Sequence, residues 1–200
     1  MSADRLAELR ARLLDPAEAA AMDAHGRTEA AVLVPLVVTP LGSDPRRESD
    51  PGPDPTVVFT ERRGDLRRHA GEISFPGGRR DGSEEELLAT ALREAHEEVG
   101  LEPSDVELLG ALPPIGTFVT SYKVHPFVGA IPDASELQPN PAEVASVLRF
   151  RVSELRGAYE MRRLVRMGVP FRTPTYQMGE HLIWGATARI LGELLDRLDS

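Results

Sequence analysis

The chain has 200 residues, of which 41% are hydrophobic, so it is long enough to bury the core of one domain of ordinary size. Its 32 acidic and 23 basic side chains give a formal net charge of -9 at pH 7, which disfavours nonspecific binding to duplex DNA and to anionic membranes. Because the chain contains no cysteine, disulfide bonds, thiolate metal sites and a cysteine nucleophile are excluded, and a cytoplasmic location is expected.

The first 25 residues predict a helical extension in front of a main domain that spans residues 26–200. Leu6, Leu9 and Leu13 recur at helical spacing, which favours one amphipathic helix ending near Pro16. This segment has no continuous apolar stretch of the kind that a signal peptide or a membrane span needs, so neither is expected. The helix is expected to pack on the domain or on a second copy in a homodimer.

Strand candidates and a last helix follow along the chain. Residues with high strand propensity cluster at 31–38, 56–62, 106–112, 123–131 and 146–152. A stretch rich in proline, glycine and charge separates the first two and predicts an exposed loop within the domain. Helical periodicity from about 183 to 198 predicts a last helix that begins near Trp184. The sum is a mixed sheet with a few helices, which is an α+β or layered α/β/α domain.

A further helix is predicted between Ser83 and Gly100. Ser83, with Glu86 three residues later, matches a capping box, and Gly100 is placed to end the helix. The apolar side chains of this helix share one face, which should be buried: Leu88, Ala91, Leu92, Ala95 and Val99.

Three glutamates form an acidic stripe along the edge of this face. Glu94 and Glu98 lie one turn apart with Glu97 beside them, so their like charges repel one another. Arg93 supplies one positive charge and can orient a carboxylate. A hard divalent cation such as Mg²⁺ prefers oxygen ligands and would neutralise the stripe, whereas the alternative is an ordinary solvated acidic helix. Gly77 and Gly78 form a turn before the helix, called the glycine turn below. Backbone can approach a metal or a phosphate closely there, which favours the metal site.

The segment "REAHEEVGL", residues 93–101, resembles the second half of the Nudix hydrolase box. Counting back from Arg93 puts the early box glutamate at Glu85, but the loop after Gly78 is one residue longer than in the box. Asp81, Glu84 and Glu85 therefore stay open as candidates for the early acidic position.

The resemblance implies a Nudix-type α/β/α sandwich that uses Mg²⁺ or Mn²⁺ to hydrolyse a diphosphate linked to another group. It implies Glu94, Glu97 and Glu98 as metal ligands and Arg93 as the residue that orients a carboxylate. Several Nudix enzymes carry a further acidic residue in a loop before a strand, for metal binding or water activation. Glu143 is the candidate here, and a turn or cap role is its alternative.

The preceding segment, "VFTERRGDLRRHAGEISFPGG", resembles the extra motif of the coenzyme A pyrophosphatase branch of this family. Arg62 and Arg63 depart from the motif, which has Thr and then Ser or Ala at these positions. Phe75 either stacks on a base or, as favoured, packs beneath the glycine turn. The resemblance implies a substrate-binding set of Arg67, Gly71, Phe75, Gly77 and Gly78.

The implied reaction is hydrolysis of coenzyme A or its thioesters to 3′,5′-ADP and 4′-phosphopantetheine or its acyl form. The expected partner is thus a small molecule, without nucleic acid or membrane. Two alternatives stay open: hydrolysis of another nucleoside diphosphate derivative, such as ADP-ribose, a dinucleotide or an oxidised nucleotide, and a non-hydrolytic nucleotide sensor.

Overall fold

The elements of the protein run from two N-terminal helices through a series of strands to a C-terminal helix. The computed structural model describes residues 1–38, 54–65, 71–117, 121–134, 136–166 and 168–199. The α-helices in these ranges are α1 (Ala3–Arg12), α2 (Pro16–Ala21), α3 (Leu87–Val99), α4 (Val152–Gly157) and α5 (Gly185–Asp199). The strands in the same ranges are β1 (Thr28–Val37), β2 (Thr56–Arg62), β3 (Ile73–Ser74), β4 (Gly77–Arg79), β5 (Glu107–Ala111), β6 (Ile115–Gly116), β7 (Tyr122–Ile131), β8 (Val144–Arg151), β9 (Tyr159–Arg166), β10 (Val169–Met178) and β11 (His181–Trp184).

A mixed eight-stranded sheet forms the centre of the fold. Strand β1 pairs in parallel with β7 along its whole length and antiparallel with β2 and β4. Strand β2 also pairs with β3 and β8, and β7 pairs with β5 and β6, all antiparallel. Since β4 lies against β1, the glycine turn is held at the middle of the sheet.

Helices cover both faces of this sheet. Residues of β1 alternate between the two faces, so Ala31 packs with Ala95 of α3, while Val34 belongs to the cluster that contains Leu191 of α5. Helices α1 and α4 contribute to the same cluster as α5. The predicted α+β class, with helices layered on both sides of a mixed sheet, is confirmed.

The N-terminal segment contains a second helix that was not predicted. Pro16 starts α2 instead of following a single helix, because Asp15 caps α2 by accepting a hydrogen bond from the backbone N–H of Ala17 at 2.8 Å. Leu9 of α1 is buried, and Leu14 exchanges two backbone hydrogen bonds with Ala111 of β5. The segment therefore packs on the sheet, and the division of the chain at residue 25 stays a prediction.

The last third of the chain differs most from prediction. Strands β9, β10 and β11 form a second, three-stranded sheet where no strand was predicted. Pro170 and Pro174 argue against a strand in the sequence, but both precede the part of β10 that pairs with β11. The predicted last helix is confirmed as α5, which begins at Gly185, one residue later than predicted, because Trp184 ends β11. No helix in the described ranges is long and apolar enough to cross a membrane.

Candidate active site

Helix α3 carries the acidic stripe, and it starts later than predicted. It begins at Leu87, and its N-cap residue, Glu86, makes no side-chain cap hydrogen bond. The predicted capping box at Ser83 is therefore wrong. The reason is Arg80, whose guanidinium donates hydrogen bonds to the backbone carbonyls of Ser83 and Glu85 and holds this segment as a loop. The helix ends at Gly100 as predicted, with a φ of 69°.

Arg80 also ties this loop to the central sheet. Its Nη1 donates to Oε2 of Glu29 on β1 at 2.7 Å. The other carboxylate oxygen of Glu29 lies 3.6 Å from Nε2 of His125, which is 3% exposed on β7. Burial lowers the pKa of His125, with the charge of Lys123 acting in the same direction. Sequence reasoning missed this anchor.

Glu85 is the early acidic residue that reaches Arg93. The Nε of Arg93 donates to Oε1 of Glu85 at 2.9 Å, whereas the nearest approach to Asp81 is 3.8 Å and Glu84 is exposed. Glu85 also accepts from the backbone N–H of Asp81 at 2.8 Å. The hydrogen bond from Arg93 is the main cause that lowers the pKa of Glu85 to about 2.

The Arg93 guanidinium contacts the acidic stripe as well. Its Nη1 donates to Oε1 of Glu94 at 2.9 Å and to Oε2 of Glu97 at 3.2 Å. The hydrogen bonds that Arg93 donates to Glu85 and Glu94 raise the pKa of Arg93 above its usual range. Arg93 therefore stays charged and bridges the loop before α3 to the first half of the stripe.

Glu94 lies directly against the glycine turn. A Cβ added to Gly78 would lie 2.4 Å from Cδ of Glu94 and 2.5 Å from each of its carboxylate oxygens. Burial raises the pKa of Glu94, in spite of the opposing hydrogen bond from Arg93. Only glycine leaves space for this carboxylate where it stands.

Glu98 is the most enclosed carboxylate of the stripe, with 4% of its surface exposed. Its Oε2 accepts a hydrogen bond from the backbone N–H of Gly77 at 3.2 Å. Burial raises the pKa of Glu98 to about 7, and the charges of Glu94 and Glu143 act in the same direction. Gly77 has a φ of 155°, and an added Cβ would lie 2.4 Å from the carbonyl oxygen of Ala31.

Glu143 comes to the stripe from a loop that is bonded to the end of α3. The backbone N–H of Asn140 donates to the carbonyl of Glu98 at 2.8 Å, and the Asn140 side chain donates to the carbonyl of Glu97 at 3.1 Å. These bonds satisfy carbonyls that a helix end leaves open. Glu143, with 54% of its side chain exposed, thereby faces Glu98 across Arg62. Sequence reasoning did not single out Asn140.

The remaining predicted substrate-binding residues differ in where the structure places them. Gly71 has a φ of 68° and donates its N–H to the carbonyl of Arg62 at 3.1 Å. Phe75 is 2% exposed and stacks on Phe59, with ring centroids 4.8 Å apart, so it packs in the core and cannot stack on a base. Its placement in the substrate-binding set is corrected accordingly. Arg67 lies outside the described residues.

The donor chemistry of the site fits a hard divalent cation. The charge of Glu143 acts to raise the pKa of both Glu94 and Glu98, so the three carboxylates lie close together, and all offer the oxygen ligands that Mg²⁺ prefers. In the described part of the chain, no three acidic or histidine side chains already form a compact ligand set. Glu94 and Glu97 turn toward Arg93, while Glu98 turns toward Gly77.

The family follows from comparison with known proteins. A family model described as the NUDIX domain matches residues 46–167. The chain belongs to the Nudix hydrolase family. A relative named "Uncharacterized Nudix hydrolase NudL" from Citrobacter koseri is 41% identical over 170 residues, which cover 84% of this chain and 81% of that protein. A protein of the same name from Photorhabdus laumondii is 37% identical over 171 residues, covering 84% of each chain.

Solved Nudix structures share the fold. A MutT/nudix family protein from Enterococcus faecalis matches with a TM-score of 0.56 at 16% identity, covering 86% of this chain and 62% of that one. The Nudix hydrolase RenU from M. smegmatis matches with a TM-score of 0.50 at 19% identity, covering 68% and 76% of the two chains. The protein is therefore a Nudix pyrophosphohydrolase, a hydrolase of phosphorus anhydrides in small molecules. Nudix hydrolases generally need a divalent ion such as Mg²⁺ or Mn²⁺.

Proposed function

We propose that this Nudix hydrolase cleaves the diphosphate of coenzyme A or acyl-coenzyme A into 3′,5′-ADP and 4′-phosphopantetheine or its acyl form. The observation that carries the proposal is the contact between the two motif segments. Gly77 donates its N–H to Glu98, and Gly78 lies against Glu94. The segment that resembles the coenzyme A motif is thus in direct contact with the acidic helix.

The metal would be held by the acidic stripe. Glu94 and Glu98 are the proposed principal ligands, and Glu97 is a further ligand or helper on the same edge of α3. A bound divalent cation would neutralise diphosphate oxygens and lower the pKa of a water molecule, so that the water can attack phosphorus in line. This direct attack requires no covalent intermediate with the enzyme.

Two other residues of the site would assist the stripe: Arg93 would orient its carboxylates, and Glu143 would bind the metal or accept a proton. Arg93 holds Glu94 and Glu97 by hydrogen bonds and is itself fixed by Glu85, so it sets the direction of the carboxylates. Glu143 is largely exposed beside the stripe, which makes it available to bind the metal or to accept the proton of the attacking water. Phe75 supports the glycine turn from the core.

Substrate choice is proposed to depend on the arginine-rich segment before the glycine turn, called the cationic segment here. Its arginines are Arg62, Arg63, Arg67 and Arg68. Coenzyme A carries a 3′-phosphate in addition to its diphosphate, and arginine binds phosphate with two parallel hydrogen bonds. Arg67 is the proposed phosphate ligand because its spacing to Gly71 matches the motif. A cytoplasmic location and a homodimer stay predictions.

The test is a substrate panel with purified protein and Mg²⁺ or Mn²⁺. Coenzyme A is compared with dephospho-coenzyme A, which lacks only the 3′-phosphate, and with ADP-ribose and a dinucleotide, with products separated by chromatography. We expect 3′,5′-ADP from coenzyme A and a lower kcat/KM for dephospho-coenzyme A. Absence of 3′,5′-ADP under every metal condition would defeat the proposal. If another compound of the panel were cleaved instead, that compound would replace coenzyme A as the proposed substrate.

Two variants test the contribution of the cationic segment. Arg67→Gln should raise KM for coenzyme A more than for dephospho-coenzyme A, since only the former carries the extra phosphate. Arg68→Gln removes the same charge one position away and is the matched control. Equal effects of the two substitutions would remove Arg67 from phosphate recognition.

A further inference from the structure

Arg62 lies between two carboxylates that come from distant parts of the chain. Its Nη1 is 3.6 Å from Oε1 of Glu98, and its Nη2 is 3.7 Å from Oε2 of Glu143. The Arg62 side chain is 28% exposed and that of Glu98 is 5% exposed, so this pair is largely shielded from solvent. Arg62 also stands where the motif that the segment resembles has a neutral residue.

The backbone around Arg62 holds it firmly in this place. The pairing of β2 with β8 shifts register between Glu61 and Arg62, and such irregularities redirect side chains near active sites. The N–H of Arg62 donates to the carbonyl of Glu72 at 3.0 Å, and the N–H of Arg63 donates to the carbonyl of Glu143 at 3.0 Å. The same backbone bonds therefore position both the guanidinium and one of its carboxylate partners.

The contacts of Arg62 are of a different kind from those of Arg93. Both distances exceed hydrogen-bond range, so Arg62 contributes positive charge more than directed bonds. Oε2 of Glu98 accepts the hydrogen bond from the backbone N–H of Gly77, whereas Oε1 of Glu98 faces Arg62. A divalent cation bound by Glu98 and Glu143 would need the same carboxylates and would be repelled by the guanidinium.

We propose that Arg62 is a resident counter-charge for Glu98 and Glu143, which holds these two carboxylates near each other and competes with the divalent cation for them. The inference rests on the proposed role of Glu98 as a metal ligand. It assigns opposite effects to the two arginines of the site. Arg93 orients the stripe for metal binding, whereas Arg62 weakens metal binding in the absence of substrate.

The test is Mn²⁺ binding to substrate-free protein, measured by calorimetry and by the electron paramagnetic resonance signal of free Mn²⁺. Arg62→Gln should bind Mn²⁺ about tenfold more tightly than the wild type, because a nearby positive charge is removed. Arg63→Gln is the matched control: it loses the same formal charge, but Arg63 is paired with Asp65 at 2.6 Å. Its Kd should stay within about twofold of the wild type.

A conservative variant separates the effect of charge from a loss of structure. Arg62→Lys keeps the charge and should keep a Kd near that of the wild type, since the contacts do not depend on hydrogen bonds. The melting temperature of metal-free Arg62→Gln should fall, and its rise on addition of Mn²⁺ should exceed that of the wild type. If Arg62 had a merely structural role, Arg62→Gln would show both a lower melting temperature without metal and a smaller rise of that temperature on addition of Mn²⁺.

The outcomes distinguish this inference from the proposed function. If the wild type binds Mn²⁺ and Arg62→Gln binds it equally or more weakly, the competition is disproved while the metal site stands. If the wild type and the variant both fail to bind Mn²⁺, the metal site and the competition are disproved together. Binding by Glu98→Gln with the affinity of the wild type would show that the ion lies elsewhere.

Discussion

Gly78 and the carboxylate of Glu94 are so close that any side chain at position 78 would occupy the space of that carboxylate. A Cβ at Gly78 would lie within 2.5 Å of Cδ and of both oxygens of Glu94. A Cβ atom is essentially never found within 3.0 Å of another nonbonded heavy atom, so one of the two groups would have to move. The glycine turn is therefore part of the acidic site and not only a connection before it.

Replacing Gly78 with alanine should displace Glu94 and lower kcat by about a hundredfold or more. The fold should persist, because Gly78 has no unusual φ and the clash is with a side chain. Steady-state kinetics and circular dichroism measure the two effects. Gly64→Ala is the control, since an added Cβ at Gly64 meets no atom of the described residues within 4 Å. Equal activity of both variants would contradict the assigned role of this contact.

Glu85 and Glu84 should differ strongly when each is changed to glutamine. Glu85→Gln weakens the hydrogen bonds to Arg93, which in turn holds Glu94 and Glu97, so we expect kcat to fall at least about tenfold. Glu84 is exposed, and Glu84→Gln should leave kcat within about twofold. The comparison is made with saturating metal and substrate. A larger loss in Glu84→Gln would exchange the roles of the two residues.

Glu98→Gln should lower the turnover rate by at least about a hundredfold, because a neutral amide is a poor substitute for a metal-ligating carboxylate. Folding should persist, since the amide retains an oxygen that can accept the N–H of Gly77. Turnover and Mn²⁺ affinity are measured on the same preparation, with Glu102→Gln as the control on an exposed carboxylate near the end of α3. Wild-type turnover in Glu98→Gln would remove Glu98 from the mechanism.

In the metal-free protein, the contribution of Glu98 to stability should fall as the pH rises. Burial raises the pKa of Glu98 from 4.5 to about 7 in the folded protein, so the folded state binds this proton more tightly than the unfolded chain does. The contribution is fully present below pH 4.5 and is lost as the pH passes 7, by about 3 kcal/mol at most. Denaturant unfolding with a chelator at about pH 5 and about pH 8.5 measures it.

The same experiment on Glu98→Gln is the internal control for the pH dependence. The amide does not titrate, so the free energy of unfolding of this variant should fall less between the two pH values than that of the wild type. Saturating Mn²⁺ should reduce the loss in the wild type, because the ion favours the ionised carboxylate. An identical pH dependence in the two chelated proteins would show that Glu98 does not carry the effect.

Features that depend on neighbours along the chain follow from the amino-acid sequence alone. Glu94 and Glu98 share one edge of a helix because the helical repeat places residues four apart on the same side, and Gly100 ends that helix because glycine adopts positive φ at no steric cost. The five predicted strands of the central sheet were also confirmed, since alternating and β-branched apolar residues are a local signal.

Which distant groups come into contact depends on the tertiary fold. Ser83 is not a cap because Arg80, anchored by Glu29 on β1, takes the backbone carbonyls of that segment. Glu143 reaches Glu98 through Arg62 because Asn140 bonds to the end of α3 and because β2 and β8 shift register. These contacts join residues far apart in the chain, so they depend on sheet register and packing, which no local pattern of residue types encodes.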